Sequence, residues 1–266
     1  DDTWLIDKVT DQADGSGGSP GWYSKVVRIP VDPSATGYVE GYYNDVLRPL
    51  VDHAKSKGLY VIIDLHYVDE STKHIQTVSD FWAFIAPKFK DEPEVMYEVY
   101  NEPKREFEAW NDFKPIMQDW VDVIRSRAPE NLVLVGSPVW SQVMGDAATN
   151  PITGGNIVYV VHMYPDHWEA GYVAQQVEQC AAAHPLLMTE WGFSHDAWNS
   201  WGQTGDHSIT GYGRPILEWA EALNIGWTAW CADDDWMPAM FWGDWSLRVG
   251  ENEMGGFVKD YLYEMK

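Results

Sequence analysis

Val99-Tyr100-Asn101-Glu102-Pro103 and Leu187-Met188-Thr189-Glu190-Trp191-Gly192 each bring an apolar, β-prone run to a glutamate. Residues 95–100 lead to Glu102 and residues 186–189 lead to Glu190. Carboxylates at the ends of two strands converge on one rim when the strands belong to a parallel barrel. Two carboxyl groups about 5 Å apart can hydrolyse a glycosidic bond with retention, one protonating the leaving oxygen while the other attacks the anomeric carbon. A lone strand-end glutamate is more often a salt-bridge or capping partner. Two in matching contexts favour catalysis.

Other strand ends offer partners for such a pair. Arg28 interrupts the apolar run Val26-Val27-Arg28-Ile29-Pro30, where an unpaired guanidinium is costly, so it needs an acidic neighbour. If that neighbour is Glu190, the arginine holds a nucleophile ionised while the acid/base stays protonated near neutral pH; a structural ion pair is the alternative. The Asn101 amide can donate to a sugar hydroxyl at the reacting centre, and Pro103 forces Glu102 into an extended conformation and ends its strand. His66 follows Asp64-Leu65, and His162 and Tyr164 follow the run at 157–161. A histidine there is more often a satisfied core group than a catalyst. Asp64 with His66, or His162 with His167, could ligate zinc, but there is no His-x-His or His-Glu-x-x-His, and the two glutamates would be left without roles. Neither metal nor cofactor is expected.

Sixteen tryptophans and fourteen tyrosines exceed what packing alone requires, and flat rings with polar edges suit sugars. More than half should pack in the core. Trp230 closes the last β-like run as a stacking floor for a sugar, and Tyr67, Trp140, Trp168, Trp236 and Trp242, which follow strand ends, are the expected substrate-binding rings. Asp233-Asp234-Asp235 lacks the spacing and glycine of an EF-hand loop and reads as solvated.

The elements that must position these residues alternate as β and α. Runs at 26–31, 59–65, 95–100, 132–136, 157–162, 185–190 and 225–230 read as strands, separated by helical patterns at 38–57, 78–89, 107–127, 170–183 and 213–223, with a last helix at 255–265. This is the signature of βα units on a parallel sheet, hence a single (β/α)8 TIM barrel domain over residues 1–266. Such a barrel needs one more strand before the first helix, yet residues 2–8 look helical, so the first strand is absent from the pattern. An unclosed edge predicts self-association. Residues 15–20, rich in glycine and serine, read as a surface loop.

A net charge of −23 repels phosphate backbones and anionic lipid, which argues against nucleic acid and membrane surfaces as partners. No apolar run approaches the roughly 18 residues of a membrane span, so a soluble chain is expected. Cys180 and Cys231 indicate no disulfide framework. The N-terminus lacks a signal sequence, which leaves a cytoplasmic protein or a processed, secreted one.

In these residues the chain resembles glycoside hydrolase family five, the cellulase and mannanase family of clan A, from Val26 to about Lys266. That family shows Arg at the end of its second strand, His after the third, Asn-Glu-Pro after the fourth, His-x-Tyr after the sixth, Glu after the seventh and Trp after the eighth. Here stand Arg28, His66, Asn101 with Glu102 and Pro103, His162 with Tyr164, Glu190 and Trp230, in that order. The resemblance implies that Glu102 is the acid/base and Glu190 the nucleophile, that His162 and Tyr164 orient them, and that the first strand precedes residue 1. Segments such as Val139-Trp140-Ser141-Gln142 look like the endoglucanase side of the family. The expected activity is a secreted, retaining endo-β-1,4-glucanase acting on cellulose-type or mixed-linkage β-glucan, with a glucomannanase or a non-catalytic carbohydrate-binding barrel as alternatives.

Overall fold

The computed structural model describes residues 2–10, 21–194 and 204–266; residues 15–20, read above as a loop, lie outside them. The strands are β1 (Val26–Val31), β2 (Tyr60–Leu65), β3 (Val68–Asp69), β4 (Val95–Glu98), β5 (Glu102–Pro103), β6 (Val133–Val135), β7 (Ile157–Met163), β8 (Leu186–Trp191) and β9 (Gly226–Trp227). Seven of them form one parallel sheet in the order β1-β2-β4-β6-β7-β8-β9, curled as in a (β/α)8 barrel. The expected fold is met. So is the expected gap: among the described residues β1 and β9 are edges, and between them lies a cavity of about 940 Å³ lined by Ile29, Leu187, Trp227, Trp230 and, from the first helix, Leu5 and Ile6.

Two faces of the sheet explain the apolar strands. Val61, Ile63, Val95, Tyr97, Val133, Val135 and Val161 join the large core under the helices, while Ile62, Met96, Leu134 and Val160 form a separate cluster on the inner face. Both faces are buried, which is why the strands read as nearly continuous apolar runs. Helix Trp110–Arg125 buries Phe113, Met117, Trp120, Val121 and Ile124 along one stripe, and helix Ile75–Ile85 buries Val78, Phe81, Trp82 and Ile85.

Three expectations change in detail. The helix read over 38–57 is broken into a 3₁₀ turn, a short α segment, the π turn Tyr43–Leu47 and helix Arg48–Ser56. The second π turn, Ile209–Gly213, also leads into an Arg-Pro pair, Arg214-Pro215. A proline cannot donate to the carbonyl four residues back and crowds it, and a widened turn relieves both problems. The helix read over 170–183 spans Tyr172–Ala181, and Gly171, with a left-handed φ of 69°, separates it from a further helix, Pro165–Ala170, that the sequence pattern did not show. Pro103 does end the strand that holds Glu102, but that strand, β5, lies outside the main sheet. The main-sheet ladder stops at Glu98, and Glu102–Pro103 then pairs with Val68–Asp69. Glu102 N–H donates to the Tyr67 carbonyl (2.9 Å) and Lys104 N–H to the Asp69 carbonyl (3.2 Å), so the ladder steps across the proline that has no N–H to give. Cys180 and Cys231 are both free.

Asn131 ties the β4 entry together: its Nδ2 donates to the carbonyls of Phe89, Glu92 and Val95 at 3.2, 3.0 and 3.0 Å. Asn131→Ala removes all three bonds, although Phe89 and Glu92 keep backbone donors in the Glu92 and Val95 N–H groups, and should destabilise the chain by about 1–3 kcal/mol, read as a lowered midpoint in urea unfolding; an unchanged midpoint would refute the bracing role.

Candidate active site

The pleat builds the site from the inner apolar cluster. Val26, Ile62, Met96, Val160 and Leu187 lie in or against that cluster, and two residues further along each strand the same parity reaches Arg28, Asp64, Glu98, His162 and Thr189. One layer of the barrel interior is hydrocarbon and the next is charge. Glu190 has the opposite parity to Thr189, but the β7–β8 register shifts between Val161 and His162, so that His162 pairs with Glu190 instead of Thr189. This bulge lets both neighbours reach the charged layer.

Arg28 is the hub, with its side chain 4% exposed. Its Nε donates to Glu98 Oε2 at 2.6 Å and its Nη2 to Glu98 Oε1 at 3.1 Å, a bidentate grip. Nη2 also donates to Asn101 Oδ1 at 2.7 Å and faces Asp64 Oδ2 at 3.0 Å. Nη1 donates to Glu190 Oε1 at 2.8 Å, so Glu190 is one of the acidic neighbours that the sequence required. The other Glu190 oxygen accepts from Tyr164 Oη at 2.9 Å. Burial and the Glu190 charge push the Tyr164 phenol well above its ordinary range, keeping it a donor.

Glu102, with 15% of its side chain exposed, stands 2.7 Å from His162 Nδ1. Burial alone would lower the His162 pKa, but Glu190, Glu102 and Glu98 together raise it to about 10. Burial would raise the Glu98 pKa, but Arg28 and His162 outweigh it and hold this carboxylate at about 2. Burial pushes Asp64 up despite Arg28, and its Oδ2 meets His66 Nδ1 at 2.6 Å. The His66 ring stacks on Trp230, with centroids 5.0 Å apart and planes at 10°.

The structure thus brings Arg28, His66, Asn101, Glu102, His162, Tyr164, Glu190 and Trp230 into one contiguous network. The outer aromatic rings fare differently. Tyr67, read above as a substrate-binding ring, is buried and stacked on Tyr100 at 5.3 Å, beside the β3–β5 pair. Trp168 packs edge-to-face on Trp219, in the helix layer. Trp140 is partly exposed, on a stretch where Val139, Trp140 and Ser141 all have positive φ. Trp236 and Trp242 are exposed, the latter with the Arg248 guanidinium 4.0 Å from its ring centre. Sequence reasoning missed Glu98 and Thr189. The signal was present, since Glu98 is a charge in a buried strand just as Arg28 is. Among the described residues, one ligand atom each from Glu102, His162 and Glu190 lie within 4.8 Å of one another; a cation there would have to displace the proton between Glu102 and His162.

A curled parallel sheet whose inner rim carries two adjoining carboxylates, gripped by an arginine, a histidine and a tyrosine, defines a carboxylate-pair barrel. The profile of the family Cellulase (glycosyl hydrolase family 5) matches residues 4–235, and the chain belongs to that family. It is 28% identical over 253 residues to Endoglucanase N of Pectobacterium atrosepticum, covering 91% of this chain and 52% of that protein. It is 27% identical over 228 residues to Endoglucanase E-5 of Thermobifida fusca, covering 80% of this chain and 46% of that protein. The chain therefore spans about half the length of the curated relatives it matches. The native β-glucanase SdGluc5_26A of Saccharophagus degradans shares the fold with a TM-score of 0.80 at 23% identity, over 92% of this chain and 79% of that one.

Removing one partner of a buried ion pair costs about 3–5 kcal/mol, so Arg28→Met should lower unfolding stability by at least that much; a loss under about 1 kcal/mol would refute the hub. Because the folded Glu98 pKa is depressed to about 2, its contribution is present above its ordinary 4.5 and lost as pH falls through 2. The His162 pKa is raised to about 10, so its contribution is full below its ordinary 6.5 and lost as pH rises through 10. Melting temperature against pH should fall at both ends, and a curve flat to pH 2 would contradict the acid arm.

Proposed function

We propose that this chain is a retaining endo-β-1,4-glucanase with Glu102 as acid/base and Glu190 as nucleophile. The observation that carries this reading is the approach of one oxygen from each glutamate to within 4.8 Å. Retaining pairs stand about 5–5.5 Å apart, whereas inverting pairs leave about 6.5–9.5 Å for a water molecule. Membership of family 5 and the endoglucanase relatives support the substrate class.

In the first step a Glu190 oxygen attacks the anomeric carbon while Glu102 gives its proton to the departing glycosidic oxygen. Arg28 and Tyr164, one on each Glu190 oxygen, aim the nucleophile and cannot themselves take up its charge. In the second step water attacks the glycosyl-enzyme from the side the leaving group vacated, Glu102 takes the water proton, and Glu190 departs as carboxylate. Asn101 turns its amide oxygen to Arg28, which directs its NH₂ toward a sugar hydroxyl. Trp230, backed by His66, offers a flat apolar face beside the scissile bond. Mixed-linkage β-1,3-1,4-glucan is the second substrate we assign, and a polymer too large to cross a membrane implies work outside the cell.

Glu102→Ala and Glu190→Ala should each reduce turnover of carboxymethylcellulose and lichenan by about a thousandfold or more, with either variant near the parent rate overturning the assignment. Proton NMR of the first product formed should show the β anomer, and an α anomer appearing first would rule out retention.

A further inference from the structure

We propose that Glu98 and Thr189 form a positioning pair that fixes one proton on His162 Nε2, leaving Nδ1 to share a single second proton with Glu102. The inference rests on the assignment of Glu102 as acid/base. Thr189 Oγ lies 2.9 Å from Glu98 Oε1 and 3.1 Å from His162 Nε2. A hydroxyl has one proton to give, and a carboxylate can only accept. Glu98 is wholly buried and gripped by Arg28, so it is ionised and takes the hydroxyl proton. Thr189 Oγ must then accept, and His162 Nε2 must be the donor. That leaves Nδ1, 2.7 Å from Glu102 Oε1, as the nitrogen whose protonation is coupled to the glutamate. One proton occupies that short bond, either on Glu102 with a neutral ring or on Nδ1 with Glu102 ionised. It is the proton that the departing sugar oxygen receives, and the seat to which the water proton returns.

The groups facing His162 come from three strands, Glu98 from β4, Glu102 from β5, Glu190 and Thr189 from β8, with His167 following β7. Of these, only Glu98 acts on the ring from the side away from Glu102 with a full negative charge that the hydroxyl relays. The bulge of β8 has a purpose in this arrangement, since without it Thr189 and Glu190 could not both enter the charged layer.

Histidine-selective ¹⁵N NMR and pH–rate profiles of the full chain test the proposal. In the parent, His162 should keep its proton on Nε2 at every pH, including above the point where Nδ1 gives up the shared proton and the ring becomes neutral. Thr189→Val, which keeps shape and charge, should lose that tautomer preference and lower kcat on carboxymethylcellulose by about tenfold or more, a fraction of what general acid–base catalysis supplies, with KM changed less than about threefold. Thr189→Ser should restore both. Glu98→Gln should move the alkaline limb of the kcat/KM profile to lower pH by about one unit, because the anion that favours the shared proton is gone. A purely structural role would reduce the folded fraction without moving the limb or the tautomer. If Thr189→Val leaves His162 protonated on Nε2 and the limb in place, the proposal is overturned; if instead Glu102→Ala retains activity, the assignment beneath it fails while the tautomer result still stands.

Discussion

One guanidinium, taken almost wholly out of water, sets the terms for the rest of this molecule. Desolvating Arg28 is tolerable only with strong compensation, and compensation comes from Asp64, Glu98 and Glu190 on three further strands. Each of those strands must therefore stand at one height and in one register. The apolar layer of Ile62, Met96, Leu134 and Val160 directly beneath supplies that alignment, because a slip of one residue would exchange hydrocarbon for charge on every strand. The packing of the inner core and the electrostatics of the rim are two readings of the same pleat.

The two glutamates experience this layer unequally. Glu190 is held on both oxygens by groups that do not change protonation in the working range, a guanidinium and a phenol with a raised pKa. Glu102 is more exposed and has a histidine for a neighbour, a group that can exchange a proton with it. On the assignment proposed above, the fixed glutamate serves as nucleophile and the one whose partner can trade charge with it as acid/base.

Much of this could be read in the sequence. Strand and helix positions followed from periodicity to within a few residues, since buried parallel strands and amphipathic helices leave strong patterns. Arg28 announced its need for partners because a cation inside an apolar run is tolerated only when it is paired. Glu98 carried the same signal but sat in the run leading to a more conspicuous glutamate. Thr189 could not be read at all, because its role depends on a bulge, and a register shift between two strands leaves no mark on either alone. The packing of Tyr67 and Trp168 against Tyr100 and Trp219 was hidden for a related reason: the sequence shows that a ring follows a strand, but not which way the loop folds. The π turn before Pro49 was legible only as helix, and most of the one before Pro215 lies ahead of the helix read from residue 213.

The acidity of this chain has a consequence for how copies of it meet one another. A net charge of −23 drives like molecules apart. The repulsion reaches about 30 Å at 0.01 M salt but only about 3 Å at 1 M, whereas contacts between apolar surfaces are short-ranged and hardly screened. Colloidal behaviour is thus tied to ionic strength: charge holds copies apart in dilute buffer, and salt removes that protection.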